Sequence, residues 1–177
     1  MEIERKWMVP GWPEGAVPTR VFQMDQGYIA LRPTVRIRRE AEGAAVRHVL
    51  CFKGRADAAG LAREEIETDL SPELFARLEG LIGLPLIQKE QRRYPLAGGL
   101  TLEVNRVDGG QPGEFFYAEV EFPTREAALA WTPQGPWADY LSREVTGQPG
   151  QSMADYWLAT RGHAGGVDAP EKWKYQE

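Results

Sequence analysis

The residues that could do chemistry begin at the second position. Glu2, Glu4 and Lys6 alternate with Ile3, Arg5 and Trp7 through Met1-Glu2-Ile3-Glu4-Arg5-Lys6-Trp7-Met8. Side chains on a β-strand point to opposite faces in turn, so the first three share one face and the last three the other. Carboxylates two residues apart on a strand stand about 6–7 Å from each other. That spacing lets them share a divalent cation or polarise a bound water, and a lysine just beyond them can take a phosphate oxygen. A solvated edge strand, its charges facing water, reads the same way. The rest of the chain decides between the two.

Such alternation recurs. Thr34 to Glu40 sets Arg36 and Arg38 on one side, with Val35, Ile37 and Arg39 on the other. Val46 to Lys53 divides into Val46, His48, Leu50 and Phe52 against Arg47, Val49, Cys51 and Lys53. From Ala62 to Asp69 one face is wholly charged, with Arg63, Glu65, Glu67 and Asp69 opposite Ile66. Leu86 to Leu96 carries Lys89, Gln91 and Arg93 on one face and Gln88, Glu90, Arg92 and Tyr94 on the other, leaving its phase open between Arg92 and Arg93. Leu100 to Val107 opposes Leu100, Leu102 and Val104 to Thr101, Glu103 and Asn105. Phe115 to Phe122 opposes Tyr117, Glu119 and Glu121 to Phe116, Ala118, Val120 and Phe122, after the turn Asp108-Gly109-Gly110-Gln111-Pro112-Gly113. Together with the first strand and Arg20 to Leu31, where Gly27 marks a bend or bulge, these make eight strands.

Helices must position them. Ser71-Pro72-Glu73 supplies an N-cap, a proline at the first helical position and an acid in the first turn. Leu74, Leu78, Leu81 and Ile82 then follow helical spacing until Gly83 and Pro85 stop it. Thr124 caps a short helix to about Trp131, another spans Trp137 to Ser142, and a last one from Ser152 to about Arg161 buries Met153, Tyr156 and Trp157.

Apolar helix stripes pack on the apolar face of the sheet, so the charged faces all turn the same way, and closing the sheet puts them inside. The fold class that follows is α+β: a closed eight-stranded antiparallel β-barrel, a tunnel with helices packed outside. Its lumen would hold Glu2, Glu4, Glu65, Glu67, Glu103, Glu119 and Glu121 with Lys6, Arg36, Arg38, Lys53, Lys89 and Arg93. Burying so many ions costs several kcal/mol for each unpaired one, so stability alone does not explain the pattern. A polyphosphate with divalent cations needs both signs of charge: bases for its oxygens and carboxylates for its metal.

The 177 residues suit one domain, expected over 1–161, with a tail over 162–177. Charged residues at 27% and hydrophobic ones at 42% belong to a soluble globular chain. The N-terminus lacks a signal-peptide apolar segment and no apolar run approaches a membrane span, so the expected location is the cytoplasm. One cysteine, Cys51, excludes an internal disulfide, and two histidines, His48 and His163, make structural zinc improbable. A net charge of −5 argues against a nucleic-acid partner.

The Glu2-Glu4-Lys6 opening, Gln26-Gly27-Tyr28-Ile29, Arg36-Arg38, Lys53, Glu65-Glu67, Glu119-Glu121 and Glu144-Val145-Thr146-Gly147 together resemble the CYTH family, the triphosphate tunnel metalloenzymes, over residues 1 to about 158. The resemblance implies that Glu2, Glu4, Glu119 and Glu121 hold Mg²⁺ or Mn²⁺, with Glu65 or Glu67 serving a second metal. Lys6, Arg36, Arg38, Lys53 and, by parity, Lys89 and Arg93 would bind the phosphates. Glu2, Glu4, Lys6, Arg36 and Arg38 become the expected catalytic set. The implied reaction is metal-assisted hydrolysis of inorganic tripolyphosphate or a related triphosphate, without a covalent nucleophile. Two departures stand out: the bases fall at Lys89, Arg92 and Arg93 where the family has Lys-x-Arg, and Asn105 stands where it has an acid. Two alternatives stay open, an adenylyl cyclase making cyclic AMP from ATP and a non-catalytic sensor of polyphosphate or nucleotide. The expected partner is a small-molecule triphosphate, with no nucleic acid or membrane, and the protein a monomer or homodimer.

Overall fold

The computed structural model describes residues 1–162, so the expected tail beyond Gly162, with Trp173 and Tyr175, lies outside the described residues. Ten strands form one antiparallel sheet: β1 (Glu2–Val9), β2 (Arg20–Leu31), β3 (Thr34–Glu42), β4 (Ala45–Lys53), β5 (Ala62–Arg63), β6 (Glu65–Asp69), β7 (Ile87–Pro95), β8 (Thr101–Val107), β9 (Phe115–Glu121) and β10 (Arg143–Glu144). The order is β10-β1-β9-β8-β7-β2-β3-β4-β6. β5 pairs with β1 through Glu2 and Arg63, while β6 pairs with β4 through Lys53 and Glu65. Only Glu64 separates β5 from β6, so this one stretch joins the two edges of the sheet and closes the barrel. The eight expected strands thus become ten. The single strand expected over 62–69 breaks at Glu64, where it changes partner, and β10 adds two residues beside β1.

Four helices lie on the barrel: α1 (Pro72–Ile82), α2 (Arg125–Ala130), α3 (Pro136–Tyr140) and α4 (Met153–Arg161). Ser71 caps α1 by accepting a hydrogen bond from the Leu74 N–H, and Gly83 ends it with φ 64°, a left-handed turn that suits glycine. The helix buries Phe75 against the ring of His48, whereas Leu81 is 82% exposed and Leu74 40%. The expected stripe is thus met in part: Leu78 and Ile82 are half-buried, Ile82 against the cluster at the barrel's end, while Phe75 takes the fully buried position.

Outward side chains of the β1, β7, β8 and β9 wall, including Trp7, Tyr94, Leu102, Val104 and Val120, form a core with Ala128 of α2 and Leu141 after α3. A second cluster closes one end of the barrel, where inward-facing Tyr28, Ile87, Val107 and Tyr117 meet Tyr156 and Trp157 of α4. The Tyr156 hydroxyl donates to Asp108 at 2.7 Å and Arg161 pairs with the same carboxylate at 2.8 Å, fixing the helix to the β8–β9 turn. Gly27 is no bulge. A Cβ there would stand 2.6 Å from Leu86 Cδ2, so glycine admits the helix layer, and the register slips instead between Tyr28 and Ala30. Among the described residues no helix is long and apolar enough to cross a membrane.

Candidate active site

Inside the barrel is a cavity of about 720 Å³, lined by all thirteen charged residues expected there. The register explains why. Glu4 and Lys6 face Glu121 and Glu119 across β1 and β9, Glu119 faces Glu103, and Glu103 faces Arg93. Each pair sits side by side on neighbouring strands, where side chains on one face meet. Lys89, Gln91 and Arg93 point inward, which settles the phase of β7: Arg92 lies outside, its guanidinium 4.0 Å from the centre of the Trp12 ring.

The acids and bases are unevenly matched. Lys53 donates to both oxygens of Glu2 at 2.9 and 3.0 Å, and Arg63 donates to Glu2 at 2.7 Å and to Glu4 at 2.6 Å. Lys6 lies 3.5 Å from Glu119 and 3.9 Å from the centre of the Tyr117 ring. Arg38 reaches Glu67 at 3.3 Å and also pairs with Glu40. Arg36 is 7% exposed, yet its Nε and Nη2 have no hydrogen-bond partner among the described residues. Its nearest carboxylates, Glu67 and Glu65, stand at 3.7 and 3.9 Å. Buried Lys89 donates to the Tyr117 hydroxyl at 2.9 Å.

These surroundings move protonation equilibria. Burial holds Lys89 down to about 7, with Arg38, Arg36 and Lys6 adding to the effect against the pull of Glu119. Glu4 is pushed up to about 7 by burial and by the Glu119 and Glu2 carboxylates, against Lys53 and Arg63. Burial also opposes the charge on Glu2, but Lys53, the Glu65 side chain and Arg63 together hold it well below the usual carboxylate range. Burial raises the Cys51 thiol to about 11, and its Sγ donates to Glu65 at 3.0 Å, so it is no ready nucleophile.

Carboxylates crowded until one resists ionising are a donor set suited to a hard cation, so the residues fit Mg²⁺ or Mn²⁺. They are not drawn into one cluster, however. Among the described residues the group whose ligand atoms all lie within 4.8 Å of one another is Cys51, Glu65 and Glu67. Glu2 and Glu4 are turned to Arg63, and Glu119 to Lys6.

The expected inventory omitted Arg63, Glu40 and Gln91, which also line the cavity. Parity could have supplied all three, since Arg63 shares a face with Glu65, Glu40 with Arg38 and Gln91 with Lys89. Asn105 is fully buried and accepts a hydrogen bond from Gln91 at 3.1 Å. A neutral amide pair thus occupies the position, and the missing acid has no base left facing it across the ladder. The Glu144-Val145-Thr146-Gly147 segment borders the cavity as well, with Thr146 Oγ1 accepting from the Lys6 N–H at 3.0 Å.

Neither a family model nor a curated relative matches the sequence. Solved structures do. The inorganic triphosphatase NE1496 is 22% identical with a TM-score of 0.57, over 89% of this chain and 95% of its own. HpAC1 from Hippeastrum, an adenylyl cyclase candidate with a dominant triphosphatase activity, is 18% identical with a TM-score of 0.54, over 73% and 83%. PH1819 from Pyrococcus horikoshii OT3 is 18% identical with a TM-score of 0.55, over 72% and 81%. Likeness at this identity concerns the backbone, and together with the closed antiparallel barrel it places the architecture: the chain has the fold of the CYTH, or triphosphate tunnel, proteins.

Proposed function

We propose that the tunnel binds inorganic tripolyphosphate or a related triphosphate and hydrolyses it with the help of a divalent metal. The observation that carries this reading is Arg36, a guanidinium more than nine-tenths buried, with two nitrogens lacking an acceptor. Glu67 and Glu65, at 3.7 and 3.9 Å, balance its charge without accepting short hydrogen bonds, so a ligand's oxygens would supply the acceptors it lacks. With Lys6, Arg38, Lys53, Lys89 and Arg93 on the same cavity, and carboxylates there to hold its counter-cation, a ligand with several negative charges suits the lining.

Glu2, Glu4, Glu119 and Glu121 would hold one Mg²⁺ or Mn²⁺, and Glu65 or Glu67 a second. A metal bound there supplies charge neutralisation at the phosphates and favours attack by water. The chain's own part is positioning: Arg36, Arg38 and Lys89 fix the phosphate oxygens and stabilise charge on the leaving group, while α4 and its aromatic cluster exclude water from one end. A carboxylate on the β1 or β9 side orients the water. Activity of the neighbouring structures named above, an inorganic triphosphatase among them, agrees with this chemistry.

The test is phosphate release from tripolyphosphate, ATP and thiamine triphosphate with Mg²⁺, Mn²⁺ or EDTA, for wild type and Arg36→Ala. Metal-dependent release, reduced about 10²-fold or more by Arg36→Ala, is the expected result. Cyclic AMP as the product of ATP would install the cyclase reading. Binding without turnover would leave a sensor.

A further inference from the structure

Two of the carboxylates proposed to hold the metal already hold a cation of the chain's own. Glu2 and Arg63 face each other across the β1–β5 pairing, and the guanidinium spans two side chains: Nε to Glu2 Oε2 at 2.7 Å, Nη2 to Glu4 Oε1 at 2.6 Å. A divalent ion held by Glu2 and Glu4 would compete for the same two carboxylates. Arg63 and the ion, both positive, repel one another there. Arg63 sits on a two-residue strand, beside the Glu64 break where the chain changes partner, and its side chain is 25% exposed at the cavity wall. Its backbone is held in the sheet while its side chain borders the open cavity. Across the lumen, Arg36 of β3 has two nitrogens without a hydrogen-bond acceptor among the described residues, and a polyphosphate held there would offer further oxygens to a guanidinium released from the acids.

Resting on the polyphosphate reading above, we propose that Arg63 is a stand-in cation, which keeps Glu2 and Glu4 charge-balanced and closed to metal until an anion enters the tunnel. The anion gives Arg63 new acceptors, the carboxylates come free, and the divalent ion takes its place. Anion and metal then bind with positive coupling, each raising the affinity of the other by the same factor. Without Arg63, the acids would attract metal whether or not an anion were present. Lys53, on both oxygens of Glu2, contributes in the same sense but touches only one of the two acids.

The experiment is Mn²⁺ binding to the full chain in anion-poor buffer, read from the electron paramagnetic resonance of free Mn²⁺. Wild type, Arg63→Met and Arg63→Lys are compared with Arg39→Met, which removes an outer-surface partner of Asp25. Arg63→Met should bind Mn²⁺ at least about tenfold more tightly than wild type, within the usual range of such couplings. Arg63→Lys and Arg39→Met should stay near wild type. Damage to the fold would weaken binding, so a gain is not a structural side effect. Equal or weaker binding by Arg63→Met, with wild-type phosphate release intact, overturns the stand-in role and leaves the hydrolase reading standing. No Mn²⁺ binding by any of the four, with no phosphate release, overturns the hydrolase reading beneath it.

Discussion

On the β1 side of the tunnel, Glu2 and Glu4 meet Arg63 and Lys53 at 2.6–3.0 Å, whereas on the β3 and β7 side Arg36 keeps two nitrogens without acceptors and Lys89 finds a single phenol. Glu2 and Glu4 are hydrogen-bonded from within the chain, whereas Arg36 meets its carboxylates only at 3.7 and 3.9 Å. Arg38 and Arg93 do find carboxylates, at 3.3 and 3.0 Å, so among the described residues the unmet hydrogen-bonding capacity is concentrated at Arg36. On the proposed reading, the chain furnishes its own cation, Arg63, at the acids that would hold the metal, and leaves Arg36 to take its acceptors from a ligand. That asymmetry is the physical argument for a polyanionic ligand.

The sharpest way to break the comparison is to put an acid where the chain has removed one. Asn105→Asp places an unpaired carboxylate at a fully buried position facing Gln91, and should lower stability by about 3 kcal/mol in urea titrations. Gln91→Arg in the same chain should restore most of it, and a double-mutant cycle with no coupling would refute the pairing. On the acidic wall, Glu4→Gln should reduce phosphate release about 10²-fold while shifting the unfolding midpoint little, because its charge is already disfavoured by burial and by Glu119 and Glu2. Unchanged turnover would remove Glu4 from the catalytic set.

A smaller effect belongs to Lys89. Its folded-state value near 7 lies below the ordinary 10.5, so between those pH values the unfolded chain binds more protons and stability rises with pH. From pH 7 to 9 the gain should be on the order of 2 kcal/mol relative to Lys89→Met, which should lack it. A polyanion restores the charge on Lys89, so tripolyphosphate binding near pH 8.5 should take up close to one proton, measured calorimetrically in two buffers of different ionisation enthalpy. Smallest of all, sulfate in EDTA should raise the melting temperature of wild type by a few degrees and that of Arg36→Ala by less, following mass action.

Much of the wall was legible in the sequence because a period of two is unambiguous wherever one face is charged. Glu65 and Glu67 could only point with Arg63, and Glu119 and Glu121 only with Tyr117. What stayed hidden depends on tertiary partners. The break at Glu64 arises from a change of neighbouring strand that no local residue announces. The buried face of α1 runs through Phe75, Leu78 and Ile82, itself at helical spacing, and which of two neighbouring stripes faces inward is set by the sheet beneath. Gly27 reads as a bulge in one dimension and as clearance for Leu86 in three. The engagement of Glu2 and Glu4 by Arg63 was hidden for the same reason, since 61 residues separate Glu2 from its partner.

The central claim is that the basic wall awaits a polyphosphate, and calorimetric titration of metal-free protein with tripolyphosphate in EDTA, wild type against Arg36→Ala, tests it most directly. One anion per chain, bound by wild type and at least tenfold more weakly by Arg36→Ala, is the predicted result. Absence of binding, or equal affinity in the two proteins, would contradict it.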